Sequence, residues 1–282
     1  MTLPETGRSR CRVRKHRAPG FTLTELLVTV AVIAILCALV GPALIGAGHK
    51  ARQTKCLSNQ RQLAMASATF SLDNADQLPP NSSLESPVAG TKPPWVSGSS
   101  HNRQQHFTNT TLLTRPDYAA FSGYLPGPLV YKCPSDRFVM NQPEAKGPKA
   151  RTYSMNNFVD GAPNAKTPRP TTYEVFSRQS DFARLSPSAA FTFIEVVPEN
   201  LCYSAFITDM GSDGFFYHLP GRSHSNRGTL AFADGHVESR RWFNPAERGF
   251  NARNFWGHFV SYESDMRDHE WLKAHATVLK AR

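Results

Sequence analysis

A long stretch without charge constrains this chain more than any other feature of its sequence. Residues 26–40 (LLVTVAVIAILCALV) carry no charged side chain, and the wider stretch 21–47 is interrupted by Glu25 and by three threonines. About 20 apolar residues in a helix cross the hydrocarbon layer of a bilayer, which is roughly 30 Å thick. Only a helix satisfies all the backbone hydrogen bonds of a single segment in that layer. The stretch therefore predicts one membrane-spanning helix.

The helix is predicted to continue beyond the apolar stretch, to about Asp73. From Gly48 onward the pattern becomes amphipathic, because residues recur at the three- and four-residue steps that place side chains on one helix face. The recurring positions are Ala51, Lys55, Cys56, Asn59, Leu63, Ala66 and Phe70. A helix of about 50 residues would be about 80 Å long. We expect one half to lie in lipid and the other half to pack against a globular head.

The distribution of charge indicates an orientation in the membrane. The formal net charge is +10, and residues 1–20 hold six basic residues against one acidic residue. Basic residues on one side of a membrane helix favour the cytoplasm, so the N-terminus is predicted to lie inside and the rest outside. A second basic group at residues 50–61 follows the apolar stretch, where lipid headgroups explain it better than a DNA groove. We expect contact with membrane lipids and no nucleic-acid partner.

An ordered motif precedes the apolar stretch. Residues 19–25 (PGFTLTE) place a glycine, an aromatic residue and a glutamate at fixed spacing after a basic leader. This arrangement resembles the signature of type IV prepilins and type II secretion pseudopilins. The resemblance implies that prepilin peptidase cuts between Gly20 and Phe21 on the cytoplasmic side and that Phe21 is N-methylated. Residues 45–47 (IGA) form a weaker, alternative site of the kind that signal peptidase cuts.

The same resemblance implies that the start of the helix directs assembly. The Glu25 carboxylate would pair with the N-terminal amine of Phe21 on a neighbouring subunit; alternatively, Glu25 reaches water at the interface. Such a carboxylate costs about 2–3 kcal/mol among lipid tails. Pro42 matches a proline of the family's membrane segment and is expected to kink or locally melt the helix. The implied partners are prepilin peptidase, other pseudopilin or pilin subunits and an inner-membrane assembly platform.

The predicted organisation is a leader at residues 1–20, a helix at 21–75 and a head at 76–282 with a helical tail, lying in the periplasm or outside the cell. The expected fold class is α+β and pilin-like, with the long helix packed on a loop-rich antiparallel sheet. Asp234-Gly235 between two apolar runs predicts a hairpin within residues 228–243. Further strands are predicted at 129–133, 151–156, 189–197, 204–208 and 214–218, and further helices within 109–125 and at 264–279.

Patches of the head resemble a pseudopilin-like subgroup that is abundant in planctomycete and verrucomicrobial bacteria. The resemblance implies a disulfide between Cys56 and Cys133, because both lie in shared patches and the exterior is oxidising. Buried free thiols, or a bond that involves Cys202, remain as alternatives. The shared patches are residues 56–63, 133–136 and 153–156, and His224 followed after nine residues by Asp234 and Gly235.

A metal site is weakly indicated. Asp209 and Asp213 offer oxygen ligands to calcium. His224, Asp234 and His236 could also be metal ligands, since Asp234 and His236 could face one side of a strand. A hairpin turn and ordinary hydrogen bonds explain these residues as well. The sequence contains no C-x-x-C, which argues against a zinc ribbon. We therefore predict no cofactor, with calcium as an option.

Three functions are compatible with the sequence. An assembling pseudopilin or pilin subunit is favoured, and no enzymatic activity is predicted, since nucleotide-binding, G-x-S-x-G and H-E-x-x-H motifs are missing. The second is a tethered module that binds polysaccharide or a secreted protein, and the third is a metal-dependent surface enzyme. The aromatic residues that a binding module would expose are Trp95, Tyr118, Phe215, Phe216 and Tyr217.

Overall fold

The computed structural model describes residues 20–81, 90–98, 103–161, 170–211, 215–243, 260–261 and 265–281. The chain divides into two compact units, Met1–Gly48 and His49–Arg282. The helices are α1 (Leu23–Asp73), α2 (Thr111–Thr114) and α3 (Arg267–Ala276). The strands are β1 (Val139–Gln142), β2 (Ala145–Pro148), β3 (Tyr153–Asn156), β4 (Phe191–Glu195), β5 (Ala205–Phe206), β6 (Phe215–Phe216), β7 (Arg227–Phe232), β8 (Val237–Arg241) and β9 (Val260–Ser261).

Helix α1 covers both the apolar stretch and its amphipathic extension, which confirms the predicted helix and its end at Asp73. It is continuous across Pro42, so the local melting expected there is not observed. Within it, Leu23–Val40 has a mean hydropathy of 2.7 and none of its residues is buried. Among the residues that the structure describes, this is the helix long and apolar enough to cross a membrane.

The second unit is built on a five-stranded sheet in the order β5-β3-β4-β7-β8. Its strands pair antiparallel except β3 and β5, which are parallel, so the sheet is mixed and not purely antiparallel as predicted. Two short antiparallel pairs, β1-β2 and β6-β9, lie outside it. The architecture is α+β and consistent with a pilin-like fold.

The two faces of the sheet carry separate apolar cores, because successive strand residues point to opposite faces. On one face, Phe193 and Ala231 belong to the same core as residues from the second half of α1. On the other face, Ile194 and Leu230 share a core with Leu272 of α3. The sheet is thus a layer between α1 and α3, and the side chains of β4 and β7 contribute to both cores.

Most of the predicted strands are present, in shortened form. The Asp234-Gly235 hairpin joins β7 to β8, with Gly235 at φ 87° in the left-handed region that the turn requires, which confirms the prediction. Helix α3 confirms the predicted C-terminal helix. The strand predicted at 129–133 is wrong: Pro128–Tyr131 forms a 3-10 helix. Pro128 at its start fixes φ and has no amide hydrogen to give to a sheet.

Candidate functional site

The N-terminus of α1 is closed by a local hydrogen-bonded box. The Glu25 carboxylate accepts a bond from the Thr22 amide at 2.8 Å and another from the Thr22 hydroxyl at 2.7 Å. The Glu25 amide in turn donates to the Thr22 hydroxyl at 3.3 Å. This is the capping box, in which a threonine and a glutamate three residues later satisfy the amides of the first helical turn. Glu25 therefore has a structural partner within its own chain.

The residues of the predicted cleavage site lie directly before this box. Gly20 and Phe21 are exposed and precede the first helical residue, Leu23. An extended, exposed bond between a glycine and the next residue is accessible to a protease, since glycine has no side chain to exclude it from a narrow cleft. The rest of the predicted leader, residues 1–19, lies outside the described residues, as does the side chain of Pro42.

A second group of chemically active side chains is buried in the second unit. Four residues each direct one metal-binding atom toward a common point, and these atoms all lie within 4.8 Å of one another. We call this group the four-donor cluster. Its members are Cys56, Cys133, Glu195 and His224.

Each donor comes from a different element. Cys56 lies on the sheet-facing side of α1, and Cys133 follows the 3-10 helix Pro128–Tyr131. Glu195 ends β4, two residues after Phe193, so both side chains face α1. His224 lies in the turn before β7, where Ser225 and Asn226 both have positive φ and the amide and carbonyl of His224 bond to those of Arg227. The tertiary fold thus assembles the cluster.

The residues after Cys56 attach α1 to the rest of the cluster. The Asn59 side chain donates to the carbonyl of Lys132 at 2.9 Å, which fixes the segment that leads to Cys133. The Gln60 side chain donates to the carbonyl of Thr229 on β7 at 2.9 Å. Because Asn59 and Gln60 lie in the patch that resembles the pseudopilin-like subgroup, that patch positions the helix against the sheet.

The distances within the cluster are short. Cys133 Sγ lies 3.3 Å from His224 Nε2, and His224 Nε2 lies 3.8 Å from Glu195 Oε2. Cys56 Sγ lies 3.9 Å from the same carboxylate oxygen. Three of the four side chains are fully buried, and His224 is 6% exposed. The four side chains form a closed site.

Burial and mutual contact change the acidity of these groups. Removal from water raises the pKa of Glu195 well above its usual range, and the nearby Cys133 raises it further. Burial likewise raises the pKa of Cys56. A hydrogen bond from Cys56 is the main reason that the pKa of Cys133 falls to about 5, against the opposing effect of burial and with a further contribution from His224. Of the two cysteines, Cys133 is therefore the one that loses its proton first.

The predicted Cys56–Cys133 disulfide is not formed in the structure. Both cysteines are free thiols, as is Cys202. The structure nevertheless brings Cys56 and Cys133 into one cluster, whereas the Cys202 thiol lies 3.1 Å from the ring of His218. The disulfide between Cys56 and Cys133 stays a prediction, and binding of a metal ion is an alternative role for both sulfur atoms.

Of the described residues that were weakly predicted to bind metal, His224 belongs to the four-donor cluster, and Asp209, Asp234 and His236 do not. Asp234 and His236 lie beside the hairpin turn, where Nδ1 of the exposed His236 ring is 2.6 Å from the Asp234 carboxylate. Asp209 accepts a hydrogen bond from the amide of Gly211, and Asp213 lies outside the described residues. His224 does not share a site with Asp234, although both belong to one sequence motif. The motif combines a hairpin turn with a buried donor.

The aromatic residues proposed for a binding surface are mostly not on the surface. Trp95 is fully buried, with its indole nitrogen donating to Asn81 at 3.1 Å, and Phe216 is buried too. Tyr118 and Tyr217 are half-buried, and the side chain of Phe215 is outside the described part. The prediction of an exposed aromatic patch is therefore wrong for Trp95 and Phe216, and the surface-binding hypothesis loses its main support.

Glu195 is the member of the cluster that sequence reasoning missed. It lies inside the strongly apolar run 189–197, a pattern that predicts a core strand and no functional residue. The signal that could have found it is the alternation along the strand, which places Glu195 on the same core-facing side as Phe193. A buried carboxylate needs a partner, so an acidic residue at such a position indicates a polar or metal site. The other three members stood in patches of family resemblance, but no spacing rule joins residues so far apart in the sequence.

Comparison with known proteins identifies the N-terminal segment. Residues 15–41 match the family described as the prokaryotic N-terminal methylation motif. This chain carries a prepilin-type methylation motif. The motif spans the Gly20-Phe21 bond, the capping box and the apolar part of the helix.

The chain is also homologous to type II secretion system core protein G. It is 41% identical over 76 residues to that protein of Escherichia coli (strain K12), a match that covers 27% of this chain and 52% of the relative. It is 40% identical over 62 residues to that of Aeromonas hydrophila, covering 22% and 43%, respectively. The chain thus spans about half the length of these relatives or less. No solved structure matches the chain.

These findings support a pseudopilin- or pilin-like subunit. The single apolar N-terminal helix and the homology also fit a protein anchored in a membrane by one segment. The relatives carry the name of a secretion-system core protein and not of an enzyme.

Proposed function

We propose that this chain is a pseudopilin or pilin-like subunit that acts by assembling with other subunits through its N-terminal helix. The observation that carries the proposal is the methylation motif at residues 15–41, which includes both the Gly20-Phe21 bond and the start of the apolar helix. In this proposal prepilin peptidase cuts after Gly20, Phe21 becomes the N-methylated terminus, and the N-terminus faces the cytoplasm. The head lies in the periplasm or outside the cell.

The exposed apolar helix supports this mode of action. All of the large apolar side chains between Leu23 and Val40 are exposed. Lipid tails cover such a surface before assembly, and the same surface of other subunits covers it in a filament. Packing between apolar helices in a membrane depends on van der Waals contact and on rare polar pairs. Glu25 is the acidic residue of this segment and is the natural source of such a pair.

Glu25 has two roles in the proposal, which succeed each other. Before assembly its carboxylate caps its own helix through Thr22. In the filament it pairs with the methylated amine of Phe21 on the neighbouring subunit, an interaction that includes a full charge on each partner. The inner-membrane assembly platform delivers subunits to this pairing. Pro42 contributes by allowing the helix to adapt where it meets its neighbours.

The test separates the two roles of Glu25. Glu25→Gln keeps an oxygen that can accept both bonds from Thr22 but removes the charge. Thr22→Val is the matched control, because it removes the hydroxyl of the cap and keeps the charge. A charge-assisted bond contributes about 1.5–3 kcal/mol, so Glu25→Gln should reduce cross-linked oligomers by about tenfold or more. Thr22→Val should assemble nearly as wild type does.

Both variants are expressed with a prepilin peptidase and a secretion-type assembly machinery, and oligomers are measured by cross-linking in intact cells. Intact mass on the same samples establishes that each variant is cleaved. Wild-type assembly of a correctly cleaved Glu25→Gln protein would contradict the charge-pairing mechanism. Equal loss in both variants would show that helix capping, and not pairing between subunits, is what assembly requires.

A further inference from the structure

The four-donor cluster has the chemistry of a structural zinc site. We propose that it binds one Zn²⁺ with all four side chains as ligands. Zinc in proteins is held by cysteine sulfur, histidine nitrogen and carboxylate oxygen, and structural sites use four protein ligands in a tetrahedral arrangement. The cluster supplies two sulfur atoms, one nitrogen and one carboxylate, and it is closed to solvent. This inference is independent of the proposed role in assembly.

The distances between donor atoms are close to those of a tetrahedron around one ion, although they extend beyond it, to a limit of 4.8 Å. With Zn–S bonds of about 2.3 Å and Zn–N or Zn–O bonds of about 2.0 Å, neighbouring ligand atoms are separated by about 3.3–3.8 Å. The observed separations are 3.3 Å from Cys133 Sγ to His224 Nε2 and 3.8 Å from that nitrogen to Glu195 Oε2. The Cys56 Sγ atom is 3.9 Å from the same oxygen. Small rotations of the side chains complete the geometry.

Groups outside the cluster hold the donors in the required orientation. The far nitrogen of the His224 ring, Nδ1, lies 3.5 Å from the Ser135 hydroxyl, which leaves Nε2 facing the centre. The Ser135 amide donates to Cys133 Sγ at 3.4 Å. The hydroxyl groups of Tyr153 and Thr229 lie 3.0 and 3.1 Å from Cys56 Sγ. Hydrogen-bonded outer partners of this kind orient the ligands of metal sites.

One oxygen of the buried carboxyl group is available to a metal ion. Glu195 is fully buried, and its Oε2 atom accepts bonds from the Thr229 amide at 3.2 Å and the Thr229 hydroxyl at 3.3 Å. Its Oε1 atom has no hydrogen-bond partner among the residues that the structure describes. Burying a carboxylate is costly unless it is paired or coordinates a metal. A divalent ion would offset two of the three negative charges that the carboxylate and the two thiolates carry as ligands, and the protons still held by these groups would be released as it binds. A disulfide would consume the two sulfurs and leave the carboxylate buried beside a histidine.

The donor set also selects the ion. Calcium takes six to eight oxygen ligands, and the cluster offers sulfur and nitrogen instead, so calcium does not suit it. Thiolate and imidazole ligands suit zinc. Because all four positions are filled by protein, the ion has no open position for substrate, and its role is to cross-link. It joins the second half of α1 to β4, to the loop after Pro128–Tyr131 and to the turn before β7.

A backbone feature keeps room for the acidic ligand. A Cβ atom on Gly221 would lie 2.3 Å from Cγ of Glu195, and the Gly221 amide donates to the Glu195 carbonyl at 2.6 Å. The chain therefore crosses closely over the Glu195 side chain, and any larger residue at position 221 would displace the ligand.

The test uses the full-length chain, purified in detergent, reduced, reconstituted with zinc and freed of excess metal. Elemental analysis should find about one zinc per chain. Glu195→Gln and Cys133→Ser should lose it, with affinities lowered by more than the about 10–100-fold that the loss of an outer partner costs. Ser135→Ala removes such an outer partner and should fall within that range. Cobalt added to the wild type should give the visible absorption of a tetrahedral, thiolate-bound ion.

Cys202→Ser is the matched control, because Cys202 is also buried and in contact with a histidine but lies outside the cluster. It should retain the zinc, and so should His236→Gln. Absence of stoichiometric zinc and of the cobalt spectrum in the reduced wild type would overturn the proposal without reference to any variant's stability. So would retention of zinc by Glu195→Gln and Cys133→Ser, or its loss in Cys202→Ser. Recovery of the native chain with a Cys56–Cys133 disulfide that resists reduction in the folded state would also overturn it.

Discussion

The two parts of α1 differ in what their apolar side chains contact. Between Leu23 and Val40 none of the residues is buried, whereas Cys56, Leu63 and Phe70 of the later part lie in the core beneath the sheet. The first part can fold as a helix in lipid from its composition alone, since its backbone bonds are internal. The later part is held by tertiary contacts. The first part of the helix is thus suited to lipid and the later part to the protein core. Substitutions in the two parts should therefore have different consequences.

The largest expected effect is a loss of packing in the later part of α1. Leu63→Ala should lower the free energy of unfolding by about 2–5 kcal/mol, because Leu63 is fully buried and its removal leaves a cavity. Leu72→Ala is the matched control on the same helix, where the leucine is 82% exposed, and it should change stability by less than about 0.5 kcal/mol. Denaturant unfolding in detergent, followed by tryptophan fluorescence, measures both. Equal effects of the two substitutions would contradict the claim that core contacts hold the later part of α1.

A lysine placed in each part tests the comparison directly. Ile33→Lys should reduce stable membrane insertion, because a charge at the centre of a spanning helix costs about 2.5–3.5 kcal/mol. Met65→Lys should leave insertion unchanged, since Met65 is exposed on the later part of the helix. The measurement is the fraction of chain that resists alkaline extraction from membranes. If Ile33→Lys were retained as well as Met65→Lys, the first part would not lie in lipid.

A smaller effect is expected from a buried lysine of the second unit. Burial lowers the pKa of Lys149 to about 7, and its ammonium group donates to the carbonyls of Pro198 and Leu201. The unfolded chain, with an ordinary lysine pKa, binds more protons than the folded chain above about pH 7. Stability should therefore rise as pH increases from 7 to 8.5, by about 1–2 kcal/mol.

Lys149→Met is the control for this pH dependence. Its unfolding free energy, measured at the same series of pH values, should have a flatter slope over that window. An unchanged slope would assign the effect to other groups.

Local patterns predicted much of this fold, and long-range contacts explain the rest. The apolar run gave α1, and Asp234-Gly235 gave the β7–β8 hairpin, because each signal lies within a few neighbouring residues. Trp95 was placed in a loop and expected at the surface, but its ring packs on Phe193 with centroids 5.2 Å apart, a contact that no local pattern encodes. The apolar run at 129–133 favours a strand, but Pro128 at its start favours the 3-10 helix that the structure contains.

The candidate sites divide in the same way. The prepilin-type motif is contiguous, and the sequence predicts roles for Gly20, Phe21 and Glu25 within it, which stay predictions. The four-donor cluster joins residues 56, 133, 195 and 224, so its existence depends on the packing of α1 on the sheet. The family resemblance covers Cys56, Cys133 and His224 but does not indicate that they share one site. The disulfide that it implies involves the two cysteines and takes no account of His224 or Glu195. Glu195, whose carboxylate makes the cluster a possible metal site, lies at the end of the apolar strand β4 and has no local motif around it.

The central claim is that this chain enters the membrane as a prepilin-type protein. Its most direct test is intact mass and N-terminal sequencing of the chain recovered from membranes of a host that has a prepilin peptidase. The account predicts a mature chain that begins at Phe21 and carries one additional methyl group. A chain that begins near Gly48, or one that keeps its first 20 residues, would contradict the account.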